Sequence, residues 1–190
     1  MSYITSRFDG MVAGLLEKGA VGFIPTDTIY GLSAKALDEQ AVVKVRSIKD
    51  RHKNKPLIVL IADPSQLSEL GGAESQARSA TKYWPGPLTV IFTSNEFPVW
   101  LTGGTDTLAV RMPGNEKLRQ LIKKTGPLVS TSANPQGKKP AESVKQAKKY
   151  FDSKLDFYVD VGELSNRQPS TIVKLVDGRL QIIRQGDVKI

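Results

Sequence analysis

The chain has 190 residues, 39% of them hydrophobic and 24% charged, enough for one domain with its own core and outside the disordered, collagen-like and fibrous classes. It has no cysteine, which excludes disulfide frameworks, thiolate zinc sites and iron–sulfur clusters and makes the reducing cytoplasm the expected address. The formal charge of +8 is concentrated, with six basic residues and one acid in 44–55 and ten basic and three acidic residues in 116–154, as a phosphate-bearing partner requires, whether nucleotide or nucleic acid.

In chain order, Phe8, Met11, Val12, Leu15 and Leu16 share one helical face over residues 6–18, closed by Gly19. The apolar run 20–24, stopped by Pro25, predicts a buried strand that feeds a loop over 26–32. Helical patterns follow over 39–49, 64–70, 75–83, 115–125 and 141–151, and strand-like runs over 57–62, 88–93, 107–112, 128–130, 157–161, 171–176 and 180–184. Asp177-Gly178 between the last two strands is a hairpin signal. Strands alternating with helices, with a terminal hairpin, predict an α/β domain over residues 1–190 with a mixed sheet and no linker. The N-terminus lacks a basic leader and apolar segment, and no run approaches the ~20 apolar residues of a membrane span, so neither secretion nor membrane insertion is expected.

Several chemistries lack their residues. There is no phosphate-binding G-x-x-x-x-G-K-[ST] loop and no G-x-G-x-x-G turn after a strand. The single histidine, His52, lies in the charged run 49–53 and reads as a solvated loop residue. Four clusters of hydroxyls and cations remain, each at a predicted strand end, where α/β proteins place ligands.

The first is Pro25-Thr26-Asp27-Thr28-Ile29-Tyr30-Gly31-Leu32, two hydroxyls in a turn begun by proline and ended by glycine. The second, Lys49-x-Arg51-x-x-x-Lys55-Pro56-Leu57, sets the motif's three cations within seven residues at a helix end; it reads equally as a solvated cap or as a phosphate contact. In the third, Thr107, Ala109 and Arg111 share one strand face while Leu108, Val110 and Met112 share the other, and an arginine on so apolar a strand needs a carboxylate or phosphate. The fourth, Pro127-Leu128-Val129-Ser130-Thr131-Ser132-Ala133-Asn134, runs from an apolar strand into hydroxyls and an amide. Pro169-Ser170-Thr171 and Arg184-Gln185-Gly186 add residues of the same kind.

With Trp84-Pro85-Gly86-Pro87-Leu88-Thr89, these motifs occur in an order that resembles the YrdC/Sua5 family of threonylcarbamoyl-AMP synthases, over about residues 6–186. The resemblance implies a twisted, mixed α/β sheet with flanking helices around a basic cavity. It also implies condensation of L-threonine, bicarbonate and ATP into threonylcarbamoyl-adenylate with release of pyrophosphate, for the threonylcarbamoyl modification of tRNA adenosine 37 in tRNAs that read ANN codons. Longer members carry an additional C-terminal domain, so this chain looks like the short form, which hands its product to tRNA-threonylcarbamoyltransferase proteins.

Carried over by motif, the resemblance assigns threonine to Thr28, Arg111, Ser130 and Ser170, with Arg111 on the carboxylate. It assigns ATP to Lys49, Arg51, Lys55, Thr107, Ser132, Asn134 and Arg184, and the catalytic charge to Lys49 and Arg51. ATP enters as a substrate with Mg²⁺; no carboxylate cluster marks a protein-built metal site, and no prosthetic group is implied. Three positions depart from the family pattern, His52, Gln136 and Gln185, and they change loop stiffness more than charge. The alternative is a basic tRNA- or rRNA-binding protein of the same fold without synthase activity. Only 7% of residues are aromatic and they are not interleaved with the basic runs, which weighs against a single-strand stacking platform.

Overall fold

The computed structural model describes residues 2–50, 57–176 and 179–190, apart from the side chains of 78 and 79. Among the described residues, ten strands form one sheet: β1 (Tyr3–Thr5), β2 (Gly22–Pro25), β3 (Tyr30–Lys35), β4 (Ile58–Leu60), β5 (Leu88–Thr93), β6 (Thr107–Arg111), β7 (Leu128–Ser132), β8 (Phe157–Val159), β9 (Thr171–Val176) and β10 (Arg179–Arg184). Their order is β1-β8-β2-β3-β7-β4-β6-β5-β9-β10. Four pairs are parallel (β1 with β8, β8 with β2, β4 with β6, β5 with β9) and the other five antiparallel, so the sheet is mixed, as the strand and helix pattern predicts. The helices are α1 (Gly10–Glu17), α2 (Glu39–Ile48), α3 (Gln66–Glu69), α4 (Val99–Thr102), α5 (Glu116–Thr125) and α6 (Val144–Phe151).

Side chains that hydrogen-bond the first free N–H groups set where the longer helices begin. Asp9 accepts from Val12 N at 3.0 Å and starts α1 at Gly10, four residues later than the periodicity predicts. Asp38, Asn115 and Ser143 cap α2, α5 and α6 in the same way, and Ser143 starts α6 at Val144 rather than 141. Met11, expected on the packed face of the first helix, is exposed; Val12, Ala13 and Leu16 carry that face.

The expected loop over 26–32 is shorter than predicted. It closes at Ile29, and Tyr30–Lys35 is a central strand between β2 and β7. Its apolar positions Tyr30, Leu32 and Ala34 alternate with Gly31 and Ser33, and the polar half of that alternation hid the strand. Pro25 does not stop β2 but forms its last paired residue, opposite Tyr30. Residues 74–80 form a 3₁₀ helix rather than the expected α-helix. The short β1 and α4 were not anticipated. Val176 pairs with Arg179, consistent with a hairpin, while Asp177 and Gly178 themselves lie outside the described residues.

The two sheet faces carry separate cores. On one, Phe23, Tyr30, Leu32, Val59, Val90, Val110 and Val129 pack under α2, α4 and α6. Phe23 stacks on Tyr30 with ring centroids 4.2 Å apart. On the other, Ile24, Leu60, Leu128, Phe157 and Val159 pack under α1 and α5 through Val12, Leu16, Leu118 and Ile122. Each such buried aliphatic side chain contributes roughly 1.5–3 kcal/mol. This second cover extends over only part of its face, and the remainder is the floor of a cavity.

Candidate active site

The cavity has a volume of about 340 Å³ and is lined by residues from three of the four clusters, the Lys-x-Arg segment not among them, and from both C-terminal motifs. Cross-strand register builds its floor: Ser130, Ile58, Ala109 and Ile91 lie side by side across β7, β4, β6 and β5. On β7 the same face carries Leu128 under α1 and α5, then Ser130 and Ser132 in the cavity. Gly31 belongs here because a Cβ at its position would stand 2.6 Å from Ser130 Oγ. The alternation predicted for 107–112 holds: Ala109 and Arg111 line the cavity, while Leu108 and Val110 are in the core.

Arg111 ends β6 and is only 4% exposed. Its Nη1 donates to Thr28 Oγ1 at 2.9 Å, its Nη2 lies 3.7 Å from Asp27 Oδ1, and its Nε has no hydrogen-bond partner. Thr26 Oγ1 donates to the Ile29 carbonyl at 2.7 Å and lies 3.0 Å from Thr28 Oγ1. The single proton of Thr26 is thus committed, so Thr28 gives its own proton to Thr26 and accepts from Arg111. Burial pushes the Arg111 guanidinium down from its ordinary value; Asp27 opposes this and Arg184 adds to it. A buried cation beside a second one is stabilised by an anion, so the cavity is built for a carboxylate or phosphate.

Ser170 and Arg184 form the opposite wall. Arg184 Nη2 donates to the Ser170 carbonyl at 2.7 Å, and Ser170 Oγ lies 2.8 Å from Thr89 Oγ1. Burial also lowers the Arg184 guanidinium. The two segments touch so closely that a Cβ on Gly186 would stand 2.2 Å from the Pro169 carbonyl oxygen, which explains the glycine of Arg184-Gln185-Gly186.

The structure therefore brings Thr28, Arg111, Ser130, Ser132, Ser170 and Arg184 around one cavity. It treats the remaining predicted residues differently. Lys49, the C-cap of α2, is 4% exposed and does not line the cavity. Its Nζ donates to Ser132 Oγ at 3.0 Å, to Asn134 Oδ1 at 2.8 Å, and to the backbone carbonyls of Ser132 and Asn134. Lys49 thus fastens the S-T-S-A-N loop from beneath. Asn134 is buried in that cluster, accepting from Ser132 Oγ at 2.7 Å. Thr107 lies beyond the lining, at the far end of β6, where its hydroxyl is 3.1 Å from that of Thr105. Arg51, Lys55, His52, Lys53 and Asn54 lie outside the described residues.

Asp27, Thr89 and the apolar floor residues Ile58, Ile91 and Ile172 were missed as site residues. Asp27 stood inside a quoted motif, and an acid between two turn threonines was the available signal. Thr89 stood in the Trp-Pro-Gly-Pro-Leu-Thr motif, without a partner that sequence could name. A larger groove of about 570 Å³ beside α2 and α4 contains none of the predicted site residues that are among the described residues. Among the described residues, no group of three or more His, Cys, Asp or Glu could hold a metal ion, and no helix is long and apolar enough to cross a membrane.

The family model Sua5/YciO/YrdC, described as telomere recombination, matches residues 14–186. A threonylcarbamoyl-AMP synthase of Pyrococcus abyssi is 37% identical over 93% of this chain, which spans about half of that relative's length (53%). A threonylcarbamoyl-AMP synthase of Pseudomonas aeruginosa is 35% identical over 90% of this chain and 94% of its own length. The solved structure of P. abyssi Sua5 complexed with L-threonine superposes with a TM-score of 0.86 at 34% identity, covering 98% of this chain and 57% of that one. Matched along almost its whole length in sequence and in fold, the chain belongs to the Sua5/YciO/YrdC family.

Proposed function

We infer that this chain is a threonylcarbamoyl-AMP synthase, which joins L-threonine, bicarbonate and ATP into threonylcarbamoyl-adenylate, pyrophosphate and water. The observation that carries the reading is Arg111, a buried guanidinium with an unpartnered Nε in a cavity shared with Arg184 and four hydroxyl residues assigned to substrate. The names of the relatives and the L-threonine complex of P. abyssi Sua5 support the same chemistry.

In this reading the threonine carboxylate pairs with Arg111, and Thr28, Ser130 and Ser170 orient the rest of the amino acid. Bicarbonate takes up a proton and loses water to give carbon dioxide; the amine attacks its carbon, forming the carbamate N–C bond as a C=O electron pair moves to oxygen, and loses a proton. A carbamate oxygen then attacks the α-phosphate of ATP, and the bond from the α-phosphorus to the bridging oxygen breaks to release pyrophosphate. Three anions crowd together here, so fixed cations offset the repulsion; Arg184 supplies one of them at the wall. ATP enters as its magnesium complex. Ser132 lies at the nucleotide side, held by Lys49 and Asn134. Lys49 supports the loop rather than the phosphates directly, and Arg51 and Lys55 carry the phosphate role that the family motif assigns them. No protein nucleophile is required. The product serves tRNA adenosine 37 through tRNA-threonylcarbamoyltransferase proteins.

The test is incubation with ATP, Mg²⁺, bicarbonate and radiolabelled threonine. Labelled threonylcarbamoyl-adenylate and stoichiometric pyrophosphate are expected. Absence of product together with tight, salt-sensitive RNA binding would overturn the reading in favour of an RNA-binding protein.

A further inference from the structure

We propose that Asp27 is the positioning residue of the substrate-carboxylate site: it holds the Arg111 guanidinium from behind, so that the cation stays oriented for the carboxylate of the amino acid. The proposal rests on the function inferred above and adds a residue to it.

Two observations converge on Asp27. Its Oδ2 accepts from Gly114 N at 2.8 Å, which anchors the β2–β3 turn to the chain leaving β6, 87 residues away in sequence. The other oxygen, Oδ1, is buried without a hydrogen-bond partner, 3.7 Å from Arg111 Nη2. A buried carboxylate oxygen left without a donor is costly, and it is retained here against the one cation that needs it.

The geometry divides the guanidinium between protein and ligand. Nη2 faces Asp27, Nη1 is fixed on Thr28, and Nε is without a partner. A fork of this kind pairs best with a carboxylate when its plane is set beforehand, because no ordering remains to be done on binding. Asp27 also offsets Arg184, the second cation acting on Arg111. On its far side Asp27 borders a separate groove lined by the exposed Arg7, Lys117 and Arg167, so it is the wall between two basic surfaces. A residue in that position keeps the Arg111 cation directed to one of them.

Asp27→Asn is the discriminating variant, since its amide oxygen still accepts from Gly114 while the charge facing Arg111 is lost. We expect the threonine KM, and the threonine Kd from calorimetry, to rise ~10–100-fold, on the scale of a lost buried charge partner. The ATP KM should move less than about twofold. On an Arg111→Met background, Asp27→Asn should add less than about twofold to the loss, because both act through one group. Asp27→Glu should recover part of the affinity.

An active wild type whose Asp27→Asn variant keeps its threonine KM and Kd, or raises both KM values equally, overturns the proposal alone. Full additivity with Arg111→Met also overturns it. A wild type that neither binds threonine nor forms product overturns the proposed function, and this proposal with it. If Asp27→Asn unfolds, the threonine Kd of a folded Asp27→Glu variant decides: an unchanged value contradicts the positioning role.

Discussion

One face of the sheet contains two regions built from the same strands and opposite in chemistry. Under α1 and α5, Ile24, Leu60, Leu128 and Phe157 form a dry core. One or two side chains further along β7 and β4, Ser130, Ser132 and Ile58 lie open to the cavity. Strand alternation sends both sets to the same side, so the boundary between core and site is the edge of the helical cover. Stability and binding should therefore respond to different substitutions on the same strands.

The largest effect should come from Arg111→Met, which removes the carboxylate partner and leaves Asp27 and Thr28 facing an apolar group. kcat/KM for threonine should fall on the order of 10³-fold, about 4 kcal/mol, and the urea midpoint should fall as well, because Asp27 is left buried without its cation. Wild-type kcat/KM in the folded variant would place Arg111 in the core rather than the site.

On the covered side, Leu128→Ala should cost roughly 2–5 kcal/mol in urea unfolding and leave the threonine KM of the folded protein unchanged. A tenfold change in KM would erase the boundary between the two regions. Lys49→Met lies between them, because it buries the loss of a fastening beneath the cavity. It should cost about 1–3 kcal/mol and lower turnover by about ten- to a hundredfold through the S-T-S-A-N loop. If turnover falls while stability is untouched, Lys49 contacts the nucleotide directly.

The smallest effect should be Asp9→Ala at the start of α1, about 1 kcal/mol with no change in threonine affinity. The Val12 N–H holds the Asp9 carboxylate below its ordinary value, against a smaller opposing contribution from burial. This stabilisation is therefore complete above the unfolded value and lost as pH falls through the lower folded value. Acid unfolding curves of wild type and variant should converge at the low end of that range.

How much of this was legible in the sequence differs between the two regions. The covered core follows from apolar periodicity, and α2, α5, β5 and β9 lie within a residue of their expected bounds. The cavity floor does not follow so simply. β3 alternates apolar residues with glycine and serine, a pattern equally suited to a turn, and only pairing with β2 and β7 makes it a strand. The site was legible as residue types rather than as contacts. Arg111 declared itself by its place on an apolar strand, whereas Lys49 looked like a free helix-end cation until the fold put Ser132 and Asn134 around it. Asp27 could not be assigned because its partners, Gly114 and Arg111, are more than eighty residues away.

The carboxylate itself offers the most direct test. Calorimetric titration of the wild type with L-threonine and with L-threoninamide, identical apart from the lost carboxylate charge, isolates the contact with Arg111. Measurable threonine binding that weakens at least a hundredfold for the amide, and no such discrimination in Arg111→Met, is the expected result. Equal binding of the two ligands by the wild type would contradict the assignment of this cavity to an amino-acid carboxylate.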